Sequence, residues 1–173
     1  LPFPENTYLW IFDTGIKHDL VDSLYSTRHA ECAQALEALR EIQTKLSCLA
    51  KADAETLSSA SMPEPISKRA RHIIEEAARV EEAVTLLKGN EPVAKIGELL
   101  FASHASSRDL FENSCPELDF LVDDLGERAG VLGARLTGGG FGGAVLAWTN
   151  QSFSGDLAEE TASSYEKTFG KRP

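Results

Sequence analysis

Several features that mark secreted, metal-binding or membrane proteins are scarce in this sequence. Its 173 residues include three cysteines, Cys32, Cys48 and Cys115, which lie far apart with no CxxC pair and no histidine at metal-ligand spacing. This pattern argues against a disulfide framework and predicts inert thiols. No apolar run approaches the roughly 20 residues that span a bilayer, and the opening residues lack the regions of a signal peptide. We therefore expect a cytoplasmic protein.

Positive charge is also in short supply. Seventeen Lys and Arg residues stand against 27 Asp and Glu residues, which gives a formal net charge of -10. This balance argues against nucleic acid and anionic membranes as partners. The densest basic cluster, Lys68 to His72, is followed directly by acidic residues and fits the solvated face of a helix.

What remains is the composition of an ordinary globular domain, with 42% hydrophobic and 25% charged residues. Its length predicts a single domain over residues 1–173. Residues 1–6, with two prolines and no periodicity, read as a linker that enters the domain from a preceding segment.

Three segments predict strands. Residues 7–12 are rich in aromatic and β-branched side chains and stop at Asp13-Thr14-Gly15. The segments VLGARLT and GAVLAW flank a glycine run as the two strands of a hairpin would.

Apolar residues at three- and four-residue steps predict five helices between and after these strands. The first starts near Ser23 to Arg28, the third follows Asn90 and Pro92, and a capping box of Ser114 and Glu117 opens the fourth. The apolar stripes of the first three are Leu36, Leu39, Ile42, Leu46 and Leu49; Ile66, Ala70, Ile73, Ala77, Val80, Val84 and Leu87; and Val93, Ile96, Leu99, Leu100 and Phe111. The second ends at Gly89, the fourth carries Leu118, Leu121, Val122 and Leu125, and the fifth covers residues 156–169 and ends at Gly170.

This order of elements predicts an α+β fold with an antiparallel sheet, in which a ferredoxin-like split β-α-β arrangement carries inserted helices. Such an arrangement closes with a fourth strand beside the first, and no strand pattern follows the last helix. We therefore expect the edge of residues 7–12 to be unpaired, and either to mediate self-association or to be covered by the N-terminal arm.

The glycine run LTGGGFGGA has two interpretations. Glycines tolerate the positive φ angles of a tight hairpin, and this local pattern alone favours a structural role. The run is nevertheless longer than a reversal needs, and successive amides can form a concavity for an anion. It matches neither the P-loop nor the dinucleotide-binding pattern.

The chain resembles the GHMP superfamily of small-molecule kinases, and galactokinases in particular, in four separated motifs that occur in the family's order. These are DTGIKHDLVDSLYSTRHAEC, KRARHIIEEAARVEEAVTLL, HASSRDLFENSCPELDFLV and LTGGGFGGA. The resemblance implies the C-terminal part of an ATP- and Mg²⁺-dependent sugar 1-kinase that is inactive alone. Its catalytic residues and metal ligands would lie in an N-terminal kinase domain of the same protein, so that none is expected here.

By the same resemblance, Tyr25 and Arg28 would line the sugar site. The glycine run, comprising Thr137, Gly138, Gly139, Gly140, Phe141, Gly142 and Gly143, would approach the phosphates of ATP. A structural salt bridge is an equally good interpretation of Arg28. His104, Ser107, Arg108 and Asp109 look reactive together, but their helical spacing favours a structural network.

Three positions depart from the family pattern: Leu24, His29 and Leu110 replace a glutamate, an arginine and an aspartate. The first two lie beside the predicted sugar contact and leave another sugar, such as arabinose, fucose, glucuronate or a heptose, open. A regulator that binds sugar and nucleotide without turnover also stays open. The YSTR and HASSRD matches speak against a mevalonate or homoserine kinase.

Overall fold

An antiparallel sheet forms one side of the molecule. The computed structural model describes residues 3–16, 21–89 and 91–173. Within these ranges, strands β1 (Thr7–Asp13), β2 (Val131–Thr137) and β3 (Ala144–Asn150) pair in the order β1-β3-β2, with β3 in the centre. The predicted strands and the α+β class are thus confirmed, and the order is that of the first three strands of a ferredoxin-like arrangement.

Helices connect and cover these strands. In the described ranges they are α1 (Val21–Arg40), α2 (Ala54–Ser59), α3 (Ile66–Lys88), α4 (Val93–Ser106), α5 (Pro116–Gly126) and α6 (Gly155–Phe169), with a 3-10 turn at Leu49–Lys51 and a π-helical turn at Ser107–Phe111. Gly170 closes α6 with a φ of 73°, as its sequence position predicts. Asn90 and residues 17–20 of the first motif lie outside the described ranges. None of the described helices is both long and apolar enough to cross a membrane.

The first predicted helix is shorter than its apolar stripe suggests. Helix α1 ends at Arg40, whose Nε donates to the carbonyl oxygen of Leu46 at 2.9 Å and so holds a reversal of the chain. Leu46 and Leu49 are buried, but from the turns after the helix, while Ile42 is exposed. Leu46 and Leu49 are buried as predicted because the reversal of the chain returns them to the core.

Three further helix details differ from the prediction. Helix α3 is about 35 Å long at 1.5 Å per residue, and its buried positions lie in its first half, so Val80 is exposed. Phe111 lies in the π-helical turn after α4. The predicted capping box is wrong, because Ser114 donates to Asp119 and Cys115 occupies the cap position of α5.

The apolar interior has two parts. One lies between the sheet and helices α5 and α6, and the other joins α1, α2 and α3 with the turn at residues 46–52. Between them runs a layer of buried polar side chains, which we call the polar seam: Arg69, His72, His104, Ser106, Ser107 and Asn113. The seam connects the helical half of the molecule to the sheet.

Helix α4 crosses β2 with its backbone in direct contact. A Cβ atom on Gly97 would overlap the carbonyl group of Leu132, and one on Gly133 would overlap the backbone of Gly97. Glycine is required at both positions because no side chain fits between helix and strand. This close crossing fixes the position of β2 relative to α4, and therefore the position at which the glycine run begins.

The N-terminal arm lies on a face of the sheet. The ring of Phe3 stacks on Trp148 of β3 with the ring centroids 5.5 Å apart. Leu9 and Ile11 of β1 are more than half exposed, and no described strand pairs with the outer edge of β1. The arm therefore contacts the central strand, and self-association through the edge stays a prediction.

Candidate functional site

The glycine run forms the loop between β2 and β3, and its residues fall into two halves. Thr137, Gly138 and Gly139 form the exposed half. In the other half Gly140 is partly buried and Phe141 and Gly142 are buried, before Gly143 returns to the surface. From Gly138 to Gly143 every residue except Gly139 has a positive φ. A conformation of this kind favours glycine, and Phe141 is the one non-glycine residue that adopts it in this loop.

The buried half is held by its neighbours. The backbone N–H of Phe141 donates to the carbonyl oxygen of Asn113 at 2.5 Å, and the Asn113 side-chain amide donates to the carbonyl oxygen of Gly139 at 3.1 Å. A side chain on Gly140 would overlap Asn113, and one on Gly142 would press on Ile16. The glycines of this half are thus required by packing, which agrees with the structural interpretation.

The end of β1 is bonded to the last glycine of the loop. Both the backbone N–H and the hydroxyl of Thr14 donate to the carbonyl oxygen of Gly143, at 2.8 and 2.7 Å. The carbonyl oxygen of Thr14 in turn accepts the hydroxyl of Tyr165 at 3.1 Å. Thr14 and Tyr165 are fully buried, so this chain of bonds joins the loop to the sheet core.

The exposed half of the loop lies beside Tyr25. A Cβ atom on Gly139 would stand 3.5 Å from Cε2 of the Tyr25 ring, which is an ordinary van der Waals contact. The side chain of Tyr25 is 57% exposed. The structure therefore brings the predicted sugar contact and the predicted phosphate surface together, and leaves both open to solvent.

Arg28 lies behind this surface. Its Nε donates to the carbonyl oxygen of Phe111 at 2.7 Å, and its other nitrogens bind Glu31 and the backbone of Glu112. Its guanidinium carbon stands 5.9 Å from the centre of the Phe141 ring. The guanidinium is thus committed to protein partners, in agreement with the salt-bridge interpretation.

The cluster around His104 is structural in its geometry. Nδ1 of His104 accepts the backbone N–H of Leu136 at 3.3 Å, so Nε2 carries the proton and faces Asp119 at 3.1 Å. Ser114 donates to the same Asp119 oxygen at 2.5 Å, and not to the imidazole. Ser114 and His104 therefore do not form the hydrogen-bonded nucleophile–base pair of a serine hydrolase. Burial lowers the pKa of His104 and keeps it neutral.

The other members of the predicted network separate. Arg108 and Asp109 form an exposed ion pair with each other, which lowers the pKa of Asp109, and Ser107 is buried. In the part of the chain that the structure describes, no three His, Cys, Asp or Glu side chains come together in a way that could hold a metal ion.

Asn113, the residue that holds the loop, could not be identified from the sequence. Its position follows from Glu112, which has a φ of 55° although it is not glycine. The neighbouring sequence does not indicate a left-handed conformation at Glu112, because the contacts that impose this conformation come from helices α1 and α3. The ENS triplet signals a turn at most.

Comparisons with known proteins agree with this geometry. The family described as GHMP kinases C terminal matches residues 73–168. The galactokinase of Thermotoga maritima is 41% identical over 160 residues, which cover 92% of this chain and 43% of that protein. The galactokinase of Haemophilus influenzae is 35% identical over 98% of this chain and 44% of its own length. The chain thus spans less than half the length of these relatives.

Solved structures show the same fold. The crystal structure of Lactococcus lactis galactokinase complexed with galactose superposes with a TM-score of 0.88 and 32% identity, over 97% of this chain and 44% of that one. The mevalonate kinase of L. major in complex with R-mevalonate shares the fold at a TM-score of 0.60 and 22% identity, over 96% of this chain and 40% of its own. With more than half of its residues matched by the family, and with the glycine loop set against Tyr25, the chain belongs to the GHMP kinase C-terminal family.

Proposed function

We propose that the whole protein is an ATP-dependent sugar kinase that converts galactose to galactose 1-phosphate. This chain would form one wall of the cleft and would be inactive alone. One observation carries the proposal: the exposed, side-chain-free half of the glycine loop lies beside Tyr25, close enough that a Cβ atom on Gly139 would touch its ring. The relatives named galactokinase, and the match to a galactokinase structure that holds galactose, support the choice of substrate.

In this proposal the hydroxyl of Tyr25 binds the sugar, and the backbone amides of the exposed loop face the phosphates. Arg28 holds the wall, because its guanidinium already binds Phe111, Glu31 and Glu112. An N-terminal kinase domain of the same protein supplies the catalytic residues and completes the cleft. Phosphoryl transfer depends mainly on positioning and on charge neutralisation, so a side-chain-free surface that lets another module come close fits such a cleft.

The residues of this chain fit the nucleotide only in part. Residues 137–139 are exposed, and backbone amides in such a loop would suit a phosphate oxygen. Mg²⁺ neutralises the charge on the transferred phosphoryl group when bound. Among the described residues no three His, Cys, Asp or Glu side chains come together to hold a metal ion. We assign the Mg²⁺ ligands to the N-terminal domain, as the family resemblance implies. Use of ATP fits a cytoplasmic enzyme, and the net charge of -10 makes nucleic acid and anionic membranes unfavourable partners.

Two alternatives rest on particular residues. Leu24 and His29 replace charged residues of the family pattern on either side of Tyr25, which favours a sugar other than galactose as the second candidate. A non-catalytic regulator would keep the same wall and bind sugar and nucleotide without turnover.

The test is an assay of sugar phosphorylation with ATP and Mg²⁺, using the full-length protein and a panel of sugars. We expect turnover with galactose, and none from residues 1–173 alone. The Tyr25→Phe variant should raise KM for the sugar roughly two- to tenfold, because one hydrogen bond contributes about 0.5–1.5 kcal/mol. The matched control is Tyr8→Phe, which changes a similarly exposed tyrosine of β1.

The possible outcomes separate the alternatives. Turnover by residues 1–173 alone would overturn the proposed division of labour. Preference for another sugar would select the second candidate. Binding of galactose and ATP by the full-length protein without turnover would indicate the regulator.

A further inference from the structure

A buried arginine lies at the centre of an ion network next to the glycine loop. Arg69 of α3 is 1% exposed. Its Nε donates to Glu31 of α1 at 2.7 Å, its Nη2 donates to Glu112 at 2.7 Å, and its Nη1 donates to the carbonyl oxygen of Leu110. All three sides of the guanidinium are therefore occupied, by partners from two different parts of the chain.

The network holds the end of the π-helical turn. Arg69 binds the carbonyl oxygen of Leu110, and Arg28 binds those of Phe111 and Glu112. The last carbonyl groups of a helix have no partner within the helix, and here two arginines supply those partners. The chain leaves the turn through Glu112 in its left-handed conformation, which costs free energy in a residue other than glycine.

The residue after this turn is the one that holds the glycine loop. Asn113 binds the backbone of Phe141 and of Gly139, and its carbonyl group fills the space that a side chain on Gly140 would need. Among the described residues, Oδ1 of Asn113 is buried without a partner, which costs about 1–3 kcal/mol. The two hydrogen bonds between Asn113 and the loop offset this cost, which indicates that the residue is kept to hold the loop.

We propose that Arg69 is a positioning residue for the glycine loop. It acts through the π-helical turn and Asn113, and thereby fixes the position of Gly139 relative to Tyr25. A buried ion pair is often no more stabilising than apolar side chains of the same volume, so positioning of the turn gives the network a role beyond stability. The catalytic part of this inference rests on the proposed kinase function; the structural part does not.

The test uses Arg69→Lys in the full-length protein. Lysine keeps the charge but loses the planar fork that reaches three partners. The control is Arg128→Lys, which changes an arginine with comparable bonds to Asp124 and Glu160, remote from the loop. The first measurement is amide hydrogen exchange over residues 137–143, and the second is the steady-state kinetics of sugar phosphorylation.

In Arg69→Lys we expect exchange of the Phe141 amide, which is bonded to Asn113, to be at least about tenfold faster, because local opening of the loop becomes easier. We expect kcat to fall on the order of ten- to a hundredfold, with KM for the sugar changed less than about threefold, because misplacement by one ångström can cost that much in rate. Arg128→Lys should leave both measurements at the wild-type values. Glu112→Gln keeps the shape of the turn and should give a smaller change in the same direction.

Unchanged loop exchange in a folded Arg69→Lys protein would overturn the proposal whatever the kinetics show. If Arg69→Lys does not fold, Glu112→Gln decides in the same way. A loop that loosens in a protein with no kinase activity in its wild-type form supports the positioning role and contradicts the proposed function, so the two failures are distinguishable. A fall in kcat as large in Arg128→Lys as in Arg69→Lys would show a general loss of stability and would also overturn the proposal.

Discussion

Gly138 and Gly140 have nearly the same φ angle, 84° and 82°, but different surroundings. Nothing lies within 4 Å of a Cβ atom at Gly138, while Asn113 fills that space at Gly140. Two residues with the same letter and the same φ are therefore constrained by different physical effects. One is set by backbone strain alone, and the other by strain and packing together.

This difference is measurable. Gly138→Ala should destabilise the protein by about 1–2 kcal/mol, from the left-handed conformation alone. Gly140→Ala should cost a further 1–3 kcal/mol or so, because Asn113 must move. Urea unfolding of both variants checks the pair. Equal losses would show that the loop does not depend on its contact with Asn113.

At the residue scale, the sequence indicated which residues belong to the site, but not which contacts hold them in place. The glycine run and Tyr25 were identified from motifs, and their proximity in the structure agrees with that interpretation. Asn113 could not be found in the same way. Its role depends on the left-handed Glu112, and therefore on Arg69, which is 43 positions away in the chain.

At the scale of elements, the contact between α4 and β2 allows no side chain. Gly97→Ala should push the helix away from the strand and lower the free energy of unfolding by about 3 kcal/mol or more. Gly155→Ala is the control, since nothing lies within 4 Å of a Cβ atom there. It should be neutral or slightly stabilising, because alanine favours a helix over glycine. Similar urea midpoints for the two variants would contradict the close crossing.

The strands and most helix positions could be predicted because their signals are local. Aromatic and β-branched residues mark β1, the segments that flank the glycine run mark β2 and β3, and Gly170 marks the end of α6. The end of α1 and the π-helical turn could not. Arg40 ends the first by binding the carbonyl oxygen of Leu46, and arginines of α1 and α3 hold the second. Such boundaries depend on tertiary contacts that no window of sequence contains.

At the scale of the whole molecule, the polar seam makes stability depend on pH. Burial among apolar and polar neighbours lowers the pKa of His72 from 6.5 to about 4, with Ser106 bonded to its Nδ1 and Phe111 stacked on the ring. Between those two pH values the unfolded chain binds a proton that the folded protein does not. The contribution of His72 to the free energy of unfolding is therefore fully present above pH 6.5 and is lost as the pH falls towards 4.

We expect this histidine to contribute a loss of up to about 1.4 kcal/mol per pH unit between pH 6.5 and 4. Urea unfolding at several pH values should show a shallower loss in His72→Gln than in the wild-type protein. The remaining slope reports the carboxylates and His104, whose pKa is also lowered by burial. Parallel pH profiles for wild type and variant would refute a neutral, buried His72.

The outer edge of β1 bears on association. Leu9 and Ile11 are exposed there, and we expect residues 1–173 to form a concentration-dependent dimer through this strand. Ile11→Lys should shift sedimentation towards the monomer, because a charge on an edge strand opposes pairing. Val80→Lys replaces a similarly exposed residue of α3 and should not. A wild-type chain that is monomeric at every concentration would rule this out.

The two halves of the glycine loop also decide where a reporter group could be attached. Gly139 is the one loop residue between Gly138 and Gly143 without a positive φ, and a Cβ atom there meets only the edge of the Tyr25 ring. A cysteine introduced at this position would point to solvent at the mouth of the proposed cleft. The exposed native thiol of Cys48 would first be removed by substitution. A fluorophore on the cysteine at position 139 would then lie beside Tyr25 and would respond when a docking module or a ligand enters the cleft.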